Sequence, residues 1–294
     1  MESKTQIFCF HRISDENSPA YPPIPIRVFD KILSYINRHY FVIPLEEVFQ
    51  KHNTTKTRLI ITFDDAYYDF YENALPLLNK YKFRATQHII TQSAATGESF
   101  WTQRLNKMTE ACFHKKLRLE IPELAIDKML ANEKDVEKTA LDVYLRLLGN
   151  TSRDEILNNL QTRMGDEVTY TRMMGWRELN ECAKSGVTMG SHTHNHATLT
   201  NLNNTDLNFE LEHSRNLIRQ QIPSSECLSL AFPNGKYNDQ VVTAAKDAGY
   251  HYLLSAEQTN FVGNSTSSVL PRYCIYNKEW WKNYIKLVLI KQKN

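Results

Sequence analysis

The stretch Leu59-Ile60-Ile61-Thr62-Phe63-Asp64-Asp65-Ala66-Tyr67-Tyr68 begins as an apolar, β-branched run and stops at two adjacent carboxylates. Such a run, without polar alternation, reads as a strand buried on both faces, as in a parallel sheet. Burying a lone carboxylate is expensive, so a pair capping this strand calls for a metal, a cation or chemistry. A second cluster, Ser191-His192-Thr193-His194-Asn195-His196, supplies three imidazoles. Two histidines and one carboxylate are a recurrent ligand set for a catalytic divalent ion with one position left open. His192, His196 and one aspartate therefore suit a mononuclear metal hydrolase, with the other carboxylate as general base. Successive strand residues face opposite sides, so both aspartates reach one pocket only if the strand ends at Phe63 or Asp64. Taken alone, the acids also suit a helix N-cap and the histidines a solvated loop.

Strand-like and helix-like segments alternate on either side of this stretch. Residues 7–10 read as a first strand, and 27–40 as a helix with Val28, Phe29, Ile32, Leu33 and Ile36 on one stripe. Helix 70–82 and strand 85–90 follow the acidic pair. Further along, helix 176–185 ends at Gly186, and strand 187–190 delivers the histidines. Helix 207–221, strand 227–232, helix 238–248 and strands 249–255 and 269–275 complete the series. This order predicts an α/β protein, a distorted β/α barrel of about seven strands with working residues at the strands' carboxyl ends. Residues 97–172 break the pattern with polar helical segments, such as the stripe Val136, Ala140, Val143 and Leu147. They are expected to form a helical insertion, a lid or side wall, within one catalytic domain spanning 1–294.

Composition narrows the function. Lys plus Arg total 35 against 33 for Asp plus Glu, a net charge of +2 that gives no reason to expect nucleic acid. Cys9, Cys112, Cys182, Cys227 and Cys274 are odd in number and scattered, as expected of reduced, buried thiols. The opening MESKTQIFCFHR lacks the pattern of a signal peptide, and no run approaches the about 18 apolar residues of a membrane span. The expected location is the cytoplasm. In the tail, residues 278–293, aromatic and aliphatic residues alternate with lysines. That composition suits both a terminal helix packed on the body and peripheral contact with a membrane surface.

Thr62-Phe63-Asp64-Asp65 resembles the first motif of the polysaccharide deacetylases, the NodB homology or carbohydrate esterase family four, usually Thr-Phe-Asp-Asp-Gly. Ser191 to His196 resembles the second motif, His-Ser/Thr-x-x-His. Phe232-Pro233-Asn234-Gly235 resembles the third, often Pro-Tyr-Gly. Phe10-His11-Arg12 and Gly175-Trp176-Arg177-Glu178-Leu179 are similar to segments of the branch that begins with Tyr-His-Arg. The likeness covers residues 5–92 and 174–275 and leaves out the insertion.

The resemblance implies removal of acetyl groups from N-acetylated amino sugars with a divalent metal, zinc by preference. It implies Asp64 as catalytic base, Asp65, His192 and His196 as metal ligands, and the Asn234 backbone N–H as donor to the oxyanion. Three departures stand out. Ala66 replaces the usual Gly, which carries strain if that position needs positive φ. Leu230 occupies the place of the third motif's arginine, and Arg272 is the proposed substitute that orients Asp64, with an ordinary surface or strand-end arginine the alternative. The family's closing Leu-x-His motif has no counterpart, since no histidine follows His251. His11 is then the best substitute acid, with His194 a weaker one and a buried structural role the alternative for His11. Tyr68, Trp101 and Pro233 are the expected substrate contacts. The substrate expected is an amino-sugar glycan or glycolipid precursor. A deformylase or other small-amide hydrolase, and a catalytically impaired glycan-binding protein, are the alternatives.

Overall fold

The computed structural model of the protein describes residues 5–165, 168–259 and 269–292. They fall into two compact units, one of residues 1–15, 23–97 and 173–294, the other of 16–22 and 98–172. The strands are β1 (Thr5–Phe10), β2 (Tyr40–Val42), β3 (Thr57–Phe63), β4 (Thr86–Ile89), β5 (Leu119–Ile121), β6 (Ile126–Lys128), β7 (Thr188–Ser191), β8 (Ser229–Ala231), β9 (Tyr252–Leu254), β10 (Val269–Leu270) and β11 (Tyr273–Cys274). The α-helices are α1 (Ile26–His39), α2 (Leu75–Tyr81), α3 (Thr91–Thr96), α4 (Trp101–His114), α5 (Glu133–Leu147), α6 (Arg153–Met164), α7 (Trp176–Lys184), α8 (Asn204–Asn208), α9 (Ser214–Gln221), α10 (Asp239–Asp247) and α11 (Trp280–Gln292).

In the first unit an all-parallel sheet runs β10-β9-β8-β7-β4-β3-β1-β11, with β2 added beside β3. It is the distorted β/α barrel that the alternation of elements predicts. Alternate residues build two layers. Phe8, Phe10, Leu59, Ile61 and Phe63 point outward to Phe29, Ile32, Leu33 and Ile36 of α1. Ile7, Ile60, Ala231, Leu254 and Leu270 point inward, where Ile43, Leu45 and Val48 pack against them. Burying this many large apolar side chains, at about 1.5–3 kcal/mol each, fixes which face of every strand looks into the barrel.

Residues 269–275, predicted as one strand, form two. Val269 and Leu270 pair with β9, whereas Tyr273 and Cys274 pair with β1 at the opposite edge of the sheet. Pro271 and Arg272 lie between. Proline has no N–H to give to a ladder, so the pairing breaks here and the chain crosses from one edge to the other. Helix 70–82 also differs: a wider π-helical turn, Phe70–Ala74, precedes α2.

In the second unit α4, α5 and α6 pack with the antiparallel β5–β6 hairpin. Val136, Ala140, Val143 and Leu147 are all buried there. Residues 16–22, which nothing in the sequence marks as related, belong to this unit, where Glu110 accepts bonds from Ser18 Oγ and Ala20 N at 2.7 and 3.1 Å. No helix among the described residues is long and apolar enough to cross a membrane.

Gly190 of β7 sits where a Cβ would stand 2.2 Å from Ser229 Oγ and 2.6 Å from the His88 ring. Gly190→Ala should therefore cost about 1–3 kcal/mol, read from urea unfolding, because neither buried neighbour has room to retreat. An unchanged midpoint would show that the interior has slack.

Candidate metal centre and active site

The carboxyl ends of the parallel strands deliver the chemistry. β3 ends at Phe63, and Asp65 and Ala66 then turn into the left-handed region at φ 72° and 63°. That bend swings two consecutive carboxylates toward one pocket. Ala66 thus adopts the conformation for which the motif usually carries glycine, a strained choice for a residue with a Cβ. Neighbouring segments brace the turn: Met174 N–H donates to Ala66 O at 2.9 Å, and Arg12 pairs with buried Asp69 at 3.1 Å. Thr193, His196 and Asn234 also have positive φ, at 69°, 53° and 59°. Left-handed non-glycine residues therefore mark all three loops of the site, as strain stored at functional sites does.

Asp64 is buried and held on every side. Arg272 grips it with two parallel bonds, Nη1 to Oδ1 and Nη2 to Oδ2, both 2.8 Å. Arg272 Nε donates to Ser255 O at 2.9 Å, which fixes the plane of the fork. His88 Nδ1 lies 3.1 Å from Asp64 Oδ1, with its Nε2 3.2 Å from Ser229 Oγ, and Cys9 Sγ donates to Oδ2 at 3.4 Å. Burial resists ionisation of Asp64, but the charge of Arg272, aided by His192 and His88, outweighs it and holds the carboxyl well below its usual range. Asp64 is accordingly a carboxylate near neutrality.

Asp65 has the opposite environment. Its Oδ1 is buried without a hydrogen-bond partner, and it lies 3.4 Å from His192 Nε2 and 3.7 Å from His196 Nε2. Burial and the adjacent Asp64 charge push this carboxyl well above its usual range. His192 Nδ1 donates to Ala231 O at 2.8 Å, which directs the Nε2 lone pair at Asp65. Burial lowers His192 to about 4, so it is a neutral imidazole near neutrality. These three side chains fit a divalent ion. Zinc–ligand bonds of about 2.0–2.2 Å in a tetrahedral set leave ligand atoms about 3.3 Å apart, close to the spacings found. A cation would also satisfy the orphaned oxygen.

The histidine loop is fixed from behind. Glu210 accepts from the backbone N–H groups of His194 and Asn195 at 2.8 and 2.9 Å, and His192 N–H donates to Ile89 O at 2.8 Å. His194 itself points elsewhere, with Nδ1 2.9 Å from Thr91 Oγ1 and its ring against Phe209 and His213.

The model of the family described as polysaccharide deacetylase matches residues 51–253, more than half of the chain. The chain belongs to the polysaccharide deacetylase family. It is 21% identical over 260 residues to YxkH of Bacillus subtilis (strain 168), a protein with a provisional polysaccharide deacetylase name. That match covers 87% of this chain and 65% of YxkH, so the chain spans about two thirds of this relative's length. The Streptococcus pyogenes deacetylase PplD, solved in complex with acetate, aligns with TM-score 0.64 at 18% identity, covering 97% of this chain and 98% of that one. A Bacillus cereus polysaccharide deacetylase aligns with TM-score 0.64 at 15% identity, covering 97% and 69%. At these identities the structural likeness establishes the fold.

The structure brings together Asp64, Asp65, His192, His196 and Arg272, and it places His11 in one cluster with Cys9 and Asp64, their donor atoms within 4.8 Å of one another. Pro233 is buried at the start of the turn that carries Asn234, whose side chain donates to Thr198 Oγ1 at 3.0 Å. Tyr68 is half-buried against Tyr71. Trp101 does not serve as expected: it is buried in the second unit, stacked on Tyr144 at 5.4 Å beneath the Arg153 guanidinium, so its faces are already covered. His88 and Glu210 escaped the sequence reading, and Cys9 was expected only as a buried thiol. Strand alternation could have found His88, because β4 pairs Thr86 with Thr62, two residues before Asp64 on the same face.

Arg272→Met would leave the buried Asp64 carboxylate without its counter-charge. Unfolding stability should fall by about 3–5 kcal/mol, and Arg272→Lys should not restore it, since an ammonium cannot make the two-pronged contact. A second expectation concerns Asp65. Its raised pKa means that metal-free protein loses stability as pH rises through that value, where the folded state must give up a proton it holds better than the unfolded chain. Added zinc should restore the loss at neutral pH, read as a higher melting temperature. A melting temperature indifferent to zinc would count against the ligand set.

Proposed function

We propose that this chain is a divalent-metal-dependent hydrolase that removes N-acetyl groups from an amino-sugar glycan or glycan precursor. The convergence of Asp65, His192 and His196 beside an arginine-held Asp64 carries this reading. A divalent ion bound by the three would supply Lewis-acid chemistry, zinc being favoured by two imidazoles and one carboxylate. The remaining work falls to the chain's own residues. Asp64 collects the proton of the attacking water, while Arg272 and His88 keep it ionised and aimed. Burial chiefly, with Arg272 adding to it, lowers the pKa of His11 despite the Asp64 charge. A neutral imidazole beside Asp64 is suited to receive that proton and hand it to the leaving amine, the role left open by the absent terminal histidine. The Asn234 backbone N–H is the proposed donor to the oxyanion, a contact that gains strength as charge develops. Tyr68 and Pro233 are the proposed sugar contacts, and a lipid-linked or nucleotide-linked precursor in the cytoplasm is the proposed substrate form.

The test pairs metal analysis of purified protein with acetate release from a panel of N-acetylated amino sugars. Wild-type protein should carry about one divalent ion per chain, and Asp65→Ala should lose it. Asp64→Ala should keep the ion while turnover falls about 10²–10⁴-fold. In wild type, kcat/KM should rise through a pKa below the ordinary imidazole range, and His11→Ala should remove that limb without releasing the ion. Equal metal content in wild type and Asp65→Ala would overturn the ligand assignment. Release of formate instead would make the protein a deformylase, and sugar binding without release would make it a binding protein.

A further inference from the structure

Helix α11 is apolar on two opposite sides. Asn283, Leu287 and Ile290 are buried in the body of the first unit. At 3.6 residues per turn, Trp281, Ile285 and Leu289 fall on the other side, and they are 59%, 49% and 54% exposed. Tyr284, 47% exposed, and half-buried Val288 widen the same strip, which contains no charged residue. A helix with one face in a core ordinarily presents polar residues on the other, and a continuous exposed apolar strip marks a contact surface.

The charges around the strip identify its partner. Lys282 and Lys286 border it on one side, Lys286 with its Nζ turned in to donate to Cys274 O, and Lys291 on the other. At the carboxyl end of α11, Lys291 Nζ lies 3.3 Å from His39 Nδ1, beside Arg38 and beside Lys56, whose Nζ donates to Asn37 O. Arg38 bonds only the neutral Ser34 hydroxyl, and no ion pair with a carboxylate is formed by Arg38, Lys56 or Lys291 among the described residues. Glu279, just before α11, is paired with Lys282 at 3.1 Å. Burial, and then the charges of Lys291, Arg38 and Lys56, lower the pKa of His39, as a net positive patch requires. With the chain as a whole at only +2, this concentration is local.

We propose that the outer face of α11 docks on an anionic lipid bilayer, with Trp281, Ile285 and Leu289 at headgroup depth and Arg38, Lys56 and Lys291 facing lipid phosphates. A second copy of the chain fits worse, because a two-fold contact would set the lysine borders against one another. Trp281 and Tyr284 are amphipathic rings suited to the headgroup level, and lysines flanking an apolar strip are the arrangement of a helix lying in the interface. This inference does not depend on the activity proposed above.

The full chain would be sedimented with extruded vesicles of phosphatidylcholine alone, or with about one third phosphatidylglycerol, at low and raised salt. Binding should require phosphatidylglycerol and weaken with salt. The double variant Trp281→Ser, Leu289→Gln, and separately Lys291→Glu, should bind about tenfold less while keeping wild-type circular dichroism and melting temperature. Absence of binding to the anionic vesicles would overturn the proposal, as would binding that the variants do not weaken. A dimer in sedimentation equilibrium that the double variant dissolves would assign the strip to a second copy instead.

Discussion

Two neighbouring carboxylates share one buried pocket, and the rest of the site follows from how differently each is compensated. Asp64 receives a guanidinium, an imidazole and a thiol, so its charge is neutralised from within the chain. Asp65 has instead two imidazole Nε2 atoms near its orphaned oxygen, at 3.4 and 3.7 Å. One carboxylate is thus paired from within the chain while the other keeps a buried oxygen without a partner, an arrangement suited to a proton or a cation at the second position. Adjacent residues of one chemical type are thereby assigned different tasks, with no difference between their side chains.

The division is produced by the fold. Had the chain stayed extended past Phe63, one carboxylate would have faced the barrel interior and the other the helices outside. The left-handed pair Asp65–Ala66 prevents this, and the cost is borne by the contacts that brace the turn from β1 and from the segment before α7. The inner layer of Ile7, Ile60, Ala231, Leu254 and Leu270 lies one level below, so the polar groups rest on an apolar floor that excludes water from beneath.

Much of this was legible in the sequence, and for identifiable reasons. The run before Asp64 is long, apolar and β-branched, so its burial and parallel pairing could be read directly. The spacing of His192 and His196 following a short strand, together with the acidic pair, was enough to bring two imidazoles and one of two aspartates to a single site, and the family resemblance singled out Asp65. Arg272 was also within reach, because the third motif lacked its arginine and a neighbour was needed for Asp64. What escaped was whatever depends on register between strands. His88 looks like an ordinary polar residue in a strand until β4 is aligned with β3. Trp101 looked available because nothing in the sequence announces that Tyr144 and Arg153 cover its two faces. The break at Pro271 was visible as a residue, but its effect, moving the chain to the far edge of the sheet, is a property of the curled sheet.

That crossing has a bearing on how the molecule is made. Arg272 meets Asp64 across 208 positions of the chain. During synthesis the acid emerges early and its counter-ion late, so a nascent barrel must tolerate an uncompensated anion until the seam arrives. Adding both edge strands and neutralising the acid fall to the same short stretch, residues 269 to 274. A ribosome paused before that seam would hold a chain whose strands are mostly present and whose chemistry has yet to begin.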